Sequence, residues 1–309
     1  MGNPLRDKDP ELYRLITIRT EGARLWMRPS KDVNKIIGSV LARYSEILKI
    51  TLYSYAFLSN HYHLLLKAPK GNADEFAENV NREIARRINW KLFRSGKFWA
   101  RRYSEQAVLS EDDLLEAFLY VSTNPTKHGL VPDSRDWPGL CSINQSLSDK
   151  TLTYSFYHHS AEEEKDRITQ HSLVLTPLPQ HQGLSKKDRN KELTLLFANR
   201  TKFLVDERIA NGKGFLGVQG IREQNPHSIP ETVSKSPRPP CYTRNAELRK
   251  EFRKAECQRR KAYFEASMKY RLGDYQAQFP IHTHKPPRHR KPRVAPFVEM
   301  PDDYFKNAA

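Results

Sequence analysis

The 309 residues carry 52 lysines and arginines against 36 aspartates and glutamates, a formal net charge of +16, and an imbalance of that size calls for a polyanionic partner. The longest apolar stretches, such as Ala56 to Leu58 and Leu64 to Leu66, fall far short of the roughly 18 to 20 residues of a membrane span, and no secretory signal is visible in the first residues. Three widely spaced cysteines, Cys141, Cys241 and Cys257, form neither a disulfide framework nor a four-ligand zinc pattern, so a reducing cytoplasm is the expected compartment.

Leu12 to Arg19 is rich in β-branched and aromatic residues and reads as a strand. Ser30 caps a helix in which Val33, Ile36, Ile37, Val40, Leu41, Tyr44, Ile47 and Leu48 recur at three and four, the stripe a helix buries against a sheet. Ile50 to Leu58 and His61 to Ala68 are strand-like runs joined by Ser59-Asn60, the signature of an antiparallel hairpin. From about Asp74 to Arg94 a second helix places Phe76, Val80, Ile84, Ile88 and Leu92 on one side, and Arg82, Arg86, Arg87, Lys91 and Arg94 elsewhere. Tyr103 to Leu109 forms a fourth strand, and Ser110 with Asp113 opens a third helix running to about Asn124. The order β-α-β-β-α-β-α predicts an α+β, ferredoxin-like (split βαβ) antiparallel sheet with helices on one face.

The basic excess lies mainly beyond this unit: 23 basic and 18 acidic residues up to position 150 become 29 and 18 after it. That half holds the Pro-rich stretches Thr176 to Pro179, Ser236 to Pro240 and Lys285 to Arg293, which disfavour helices and central strands. It reads as a linker over 146–185, a mainly helical basic extension over 186–275 and a Pro-rich basic tail over 276–309, following a domain over 1–145. Within the extension, Arg244 to Arg271 is one long helix, and Lys187 to Asn211, with Leu193, Leu196, Phe203, Leu204 and Ile209, is its expected packing partner.

The sharpest local feature is His61-Tyr62-His63. Strand alternation puts both imidazoles on one face and Tyr62 on the other, with the histidine Cα atoms about 6.5 Å apart. Two neutral imidazoles bind a divalent cation and leave positions open for a phosphate oxygen and water; the plain alternative is a pair of surface histidines. His282-Thr283-His284 repeats the spacing in a Pro-flanked segment with no strand partner in view and reads as incidental. On the third helix Glu116, Tyr120 and Asn124 share a polar stripe at i, i+4 and i+8, while Leu114, Phe118 and Val121 form the apolar one. A phenol, with an ordinary pKa near ~10, becomes a nucleophile when a metal or cation stabilises its oxyanion, and a carboxamide oxygen from Asn124 suits the same ion. The alternatives are a tyrosine packed on the sheet and an asparagine that caps the helix before Pro125. No phosphate-cradling loop accompanies these residues, since Gly212-Lys213-Gly214 lacks the spacing.

Asn60-His61-Tyr62-His63-Leu64-Leu65 after an apolar strand, Tyr103 and Val108 in the fourth strand, and Tyr120-Val121-Ser122-Thr123-Asn124-Pro125 followed by Gly129-Leu130-Val131 resemble the single-tyrosine HUH transposases. Among these the chain is most similar to the REP-associated tyrosine transposases, over about residues 10 to 140. The resemblance implies that His61 and His63 bind Mg2+ or Mn2+ and that Tyr120 attacks a phosphodiester in single-stranded DNA bearing a hairpin. A 5′-phosphotyrosyl link and a free 3′-hydroxyl would result, and attack by another 3′-hydroxyl would rejoin strands without ATP. Insertion-sequence members place a glutamine one turn after the tyrosine as third ligand; here that place is Asn124, shorter by one methylene. A monomer or homodimer acting in the cytoplasm at the bacterial nucleoid is the implied setting.

For the strand itself, Arg82, Arg86, Arg87 and Lys91 on the second helix and the mixed group Trp99, Arg101 and Arg102 are the expected contacts, the latter alternatively a core edge with solvated arginines. Arg253, Lys254, Arg259 and Arg260 on the long basic helix are expected to clamp a duplex or hairpin, unless neighbouring glutamates neutralise them. The rival to a cutting enzyme is a domesticated DNA- or RNA-binding protein on the same scaffold.

Overall fold

A computed structural model describes residues 6–158, 163, 167–230 and 239–286; the tail beyond 286 and most of Ser236 to Pro240 lie outside them. The predicted order holds through the third helix: β1 (Tyr13–Arg19), α1 (Lys31–Ile47), β2 (Thr51–Phe57), β3 (His61–Lys67), α2 (Ala73–Lys91), β4 (Ser104–Val108) and α3 (Glu111–Ser122). The Ser30 and Ser110 hydroxyls accept from the amides of Val33 and Asp113 at 3.2 and 3.1 Å, so both helices start where their capping residues say they should. Beyond α3 follow α4 (Asn124–Lys127), α5 (Ile143–Ser148), β5 (Leu152–Tyr157), β6 (Ile168–Leu173), α6 (Lys186–Ala210), α7 (Gly217–Glu223), β7 (Cys241–Tyr242) and α8 (Ala246–Arg271). No helix among the described residues is long and apolar enough to cross a membrane.

The main sheet runs β2-β3-β1-β4-β7. Its first four strands pair antiparallel, and β7 adds in parallel to β4. β1 and β2 therefore run the same way with β3 between them, and so do β3 and β4 with β1 between them. These are two split βαβ units, whose right-handed crossovers bring α1 and α2 to the same face. Ile16, Ile18, Tyr62, Leu64 and Leu66 pack there against Val40, Leu41, Phe76, Ile84 and Ile88. The alternate residues Leu15, Ala56 and Leu65 pack on the opposite face against Leu114, Phe118 and Val121 of α3, with Leu193 and Phe197 of α6 beyond. His61 and His63 share the second face by the same alternation, and they lie between layers, 5% and 4% exposed, which removes the surface-histidine alternative.

The second half differs from its sequence reading in two ways. The stretch expected as a linker carries the β5–β6 antiparallel hairpin, which packs on α1. Its seat is built from afar: a Cβ on Gly38 would lie 2.2 Å from the Tyr154 ring, and buried Arg87 donates to the Tyr157 carbonyl at 2.7 Å with its guanidinium 4.1 Å from the Phe156 ring centroid. α6, expected to pair with the long basic helix, packs instead on α3, α4 and α5, because Leu193 and Phe197 meet the apolar stripe of α3.

Candidate active site

Both imidazoles are held from behind. Asn60 Nδ2 donates to the Ala23 carbonyl at 3.0 Å, which fixes its Oδ1 as the atom 2.6 Å from His61 Nδ1. A carboxamide oxygen only accepts, so His61 carries its proton on Nδ1 and presents the Nε2 lone pair on the other side of the ring. The Ala23 carbonyl is aimed by two successive left-handed residues, Gly22 (φ 59°) and Ala23 (φ 54°); the second is strained by about 1 kcal/mol or more for a residue with a Cβ. His63 Nδ1 shares a 2.8 Å hydrogen bond with Oγ1 of Thr17, its partner across the β1–β3 ladder. Anchoring the far nitrogen of each ring is how metal-binding histidines are oriented.

α3 brings the phenol to these rings. A bulge in β2 between Leu52 and Ser54 turns Ser54 toward α3, where its Oγ meets Ser122 Oγ at 2.9 Å and Ser142 Oγ at 2.7 Å. Small side chains let the helix approach the sheet, and Tyr120 lies with its ring centroid 5.1 Å from that of His63. His63 and His61 are also 5.1 Å apart, as are His61 and His128, so four rings stand in a row with the tyrosine at one end.

The helix ends at Ser122, not at Asn124. Thr123 is the cap, and Asn124 opens α4 with Pro125 in its first turn, where a missing amide hydrogen costs nothing. Asn124 is fully buried, and among the described residues neither Oδ1 nor Nδ2 has a hydrogen-bond partner. Leaving such a group unsatisfied costs on the order of 1–3 kcal/mol, and a carboxamide oxygen one turn beyond Tyr120 suits a ligand from outside the polypeptide. Among the described residues no three His, Cys, Asp or Glu side chains form a metal-holding group. His61 and His63 thus offer two Nδ1-anchored imidazoles, whose chemistry fits a divalent ion completed by water and phosphate oxygens.

The surrounding charge comes from residues the sequence reading missed. Lys127 Nζ lies 4.5 Å from the Tyr120 ring centroid, and Arg19, the ladder partner of His61, interacts electrostatically with Tyr120. Lys127 and His128 keep solvent contact although protein surrounds them on their other sides. That surrounding, with Arg200 next, lowers the pKa of Lys127. The same desolvation, helped by Lys127, Arg19 and Arg208, lowers that of His128 to about 4, so its ring is neutral at pH 7. From the far half of the chain come Tyr242 of β7, its ring 6.0 Å from Tyr120, and Arg244, whose Nη2 lies 2.6 Å from Glu116 Oε2. Arg200 of α6 reaches the same oxygen at 3.7 Å. Only Lys127 had a local signal, two turns past Tyr120 on the same stripe.

The expected DNA contacts are distributed differently. Arg82, Arg86, Arg87 and Lys91 lie on α2, across the sheet from the imidazoles, because Phe76, Val80, Ile84 and Ile88 seat that helix on the Tyr62 face. Arg86 and Arg87 bind Glu83 at 2.8 and 3.0 Å, Lys91 binds Asp32 at 2.6 Å, and Arg82 stays exposed. Trp99 is a core edge: Nε1 donates to the Asn81 carbonyl at 2.9 Å, and the ring packs on Tyr62 and Phe98. Arg101 and Arg102 are exposed, and Arg101 acts on Arg19. On α8, Arg259 and Arg260 both bind Glu256, Arg259 also reaches Asp7 at 3.1 Å, Lys254 is exposed, and Arg253 is half-buried near Cys241. The second HxH triplet rests on the N-terminal segment and on α2: the His282 carbonyl accepts from the Lys8 amide at 2.9 Å, and His284 Nε2 lies 2.5 Å from Asp74 Oδ2.

Residues 19–122 match the family model described as "Transposase IS200 like". A Haemophilus influenzae protein named as a REP-associated tyrosine transposase is 30% identical over 93 residues, covering 26% of this chain and 52% of that protein. The chain thus spans about half the length of the curated relative it matches. A solved structure of a REP-associated tyrosine transposase bound to a REP hairpin aligns with a TM-score of 0.40 at 19% identity, over 48% of this chain and 86% of the other.

Proposed function

We propose that this chain, whose residues 19–122 match the family model described as "Transposase IS200 like", cuts and rejoins single-stranded DNA through Tyr120. The observation that carries the reading is the row of rings: a half-buried phenol beside two imidazoles whose far nitrogens are both anchored. In the proposed step Tyr120 Oη attacks a backbone phosphorus as the phenol proton leaves to solvent. The bond from phosphorus to the 3′ oxygen breaks, that oxygen takes up a proton, and the strand's 5′ phosphate stays on the tyrosine. Attack by a 3′-hydroxyl of another strand end reverses the exchange, and the phosphodiester energy is conserved, so no nucleotide is hydrolysed.

His61, His63 and the Asn124 carboxamide would hold Mg2+ or Mn2+, which when bound supplies Lewis-acid polarisation of the scissile phosphate. Lys127 and Arg19 place positive charge where the phenol oxygen becomes anionic. Glu116 lies one helical turn from Tyr120 and, without DNA, is engaged by Arg200 and Arg244. The proposed substrate is a single strand carrying a hairpin, as implied by the resemblance of Asn60 to Leu65 and Tyr120 to Pro125.

The test is to incubate the protein with labelled hairpin oligonucleotides and Mg2+ or Mn2+, then look for an adduct that survives denaturation. Wild type is expected to form it, whereas Tyr120→Phe, His61→Ala and a chelator are each expected to abolish it. Tight binding with no adduct over a broad oligonucleotide set would overturn the enzyme reading and leave a non-cleaving DNA-binding protein.

A further inference from the structure

Arg200 and Arg244 are more than forty residues apart in sequence, on α6 and just after β7, yet both end on the carboxylate of Glu116. That carboxylate is one helical turn from Tyr120, about 5.4 Å along the axis. The three side chains are unequal: Arg244 is 70% exposed, while Arg200 and Glu116 are 21% and 24% exposed. Arg200 is also incompletely satisfied, since its buried Nε has no hydrogen-bond partner among the described residues.

The neighbourhood is over-supplied with positive charge. Arg200 acts on Lys127, Arg208 on His128 and Arg101 on Arg19, while Glu207 acts on Lys127 from the acidic side. Cations held this close repel one another and cost stability. A polyanion threading between them relieves that cost, and Arg200 and Arg244 already converge on one carboxylate oxygen, at 3.7 and 2.6 Å, where a phosphate oxygen could take its place.

We propose that Arg200 and Arg244 form a phosphate-binding subsite for the DNA strand beside Tyr120, and that Glu116 occupies this subsite until a backbone phosphate displaces it. The inference rests on the strand-cutting reading above and gives the second half of the chain a part in it: α6 and β7 supply the grip on the backbone, and α3 supplies both the nucleophile and the internal competitor. The arginines bind and do not react, so their loss lowers affinity for the strand.

The experiment uses the full chain and a fluorescent single-stranded hairpin oligonucleotide, with affinity read by anisotropy over a range of NaCl concentrations. Arg200→Gln/Arg244→Gln is expected to weaken binding about tenfold and to flatten the salt dependence by the roughly 0.7 per phosphate contact that single strands show. Glu116→Gln, which removes the competitor, is expected to tighten binding about threefold, and Arg260→Ala on α8 to change it less than twofold. A loss below threefold in the double variant, or weaker binding by Glu116→Gln, would overturn the subsite. Wild type that binds the strand without forming an adduct defeats only the cutting reading, and wild type that binds no single strand defeats both.

Discussion

The arginines of α2 and α8 and those gathered near Tyr120 are the same side chain in two settings. On α2, Arg86 and Arg87 share Glu83; on α8, Arg259 and Arg260 share Glu256. Each acid lies three or four residues from its bases, so the helix neutralises its own charge. Around Tyr120, Arg19, Lys127, Arg200 and Arg244 arrive from β1, α4, α6 and the segment after β7, with Glu116 as the acid that two of them reach. Local pairing leaves little charge for a partner, whereas charge assembled by the fold and left in excess is what a polyanion reads. A net charge of +16 predicts a polyanionic partner; under the proposed function, the pairing assigns its approach to the Tyr120 face.

Arg87→Ala would break this contrast most visibly. Removing the guanidinium leaves Glu83 buried with only Arg86 beside it and frees the Tyr157 carbonyl, so a stability loss of about 3 kcal/mol is expected in thermal or urea unfolding, with strand affinity at a permissive temperature unchanged. Asn60→Ala acts on the other side of the sheet. Loss of the His61 anchor is expected to weaken Mn2+ binding by about 10- to 100-fold, the usual range for such supporting partners, in a calorimetric titration. Unchanged affinity would mean that His61 holds no ion. Gly38→Ala drives a methyl into the Tyr154 ring and is expected to cost about 1–3 kcal/mol by displacing the β5–β6 hairpin, again with no effect at Tyr120. The smallest effect belongs to Arg82→Ala, expected to change strand affinity less than twofold in an anisotropy titration because that side chain is exposed on the far face; a larger loss would show that DNA also crosses α2.

The fold of the first 122 residues was legible because each element declares itself locally. The stripe from Val33 to Leu48 is a helix whatever else is present, and alternation along His61-Tyr62-His63 commits both imidazoles to one face. Tyr120 followed from the helical period in the same way. The hairpin over Leu152–Tyr157 and Ile168–Leu173 did not, since its strands are half exposed and held by Gly38 and Arg87, more than sixty residues upstream. β7 is two residues long and leaves no periodic trace, yet it delivers Tyr242 and Arg244. The basic stripe of α2 was read correctly as a surface, apart from Arg87, but which side of the sheet that surface faces is a property of the crossover and not of the helix.

The proposed covalent chemistry belongs to one phenol, Tyr120, while a second, Tyr242, stands with its ring centroid 6.0 Å away. Fragment-ion mapping of the protein–DNA adduct by mass spectrometry distinguishes the two. Phosphonucleotide mass confined to Tyr120, and absent from the whole chain in Tyr120→Phe, is the predicted result. Mass on Tyr242 or any other residue, or an adduct that persists in Tyr120→Phe, would contradict it.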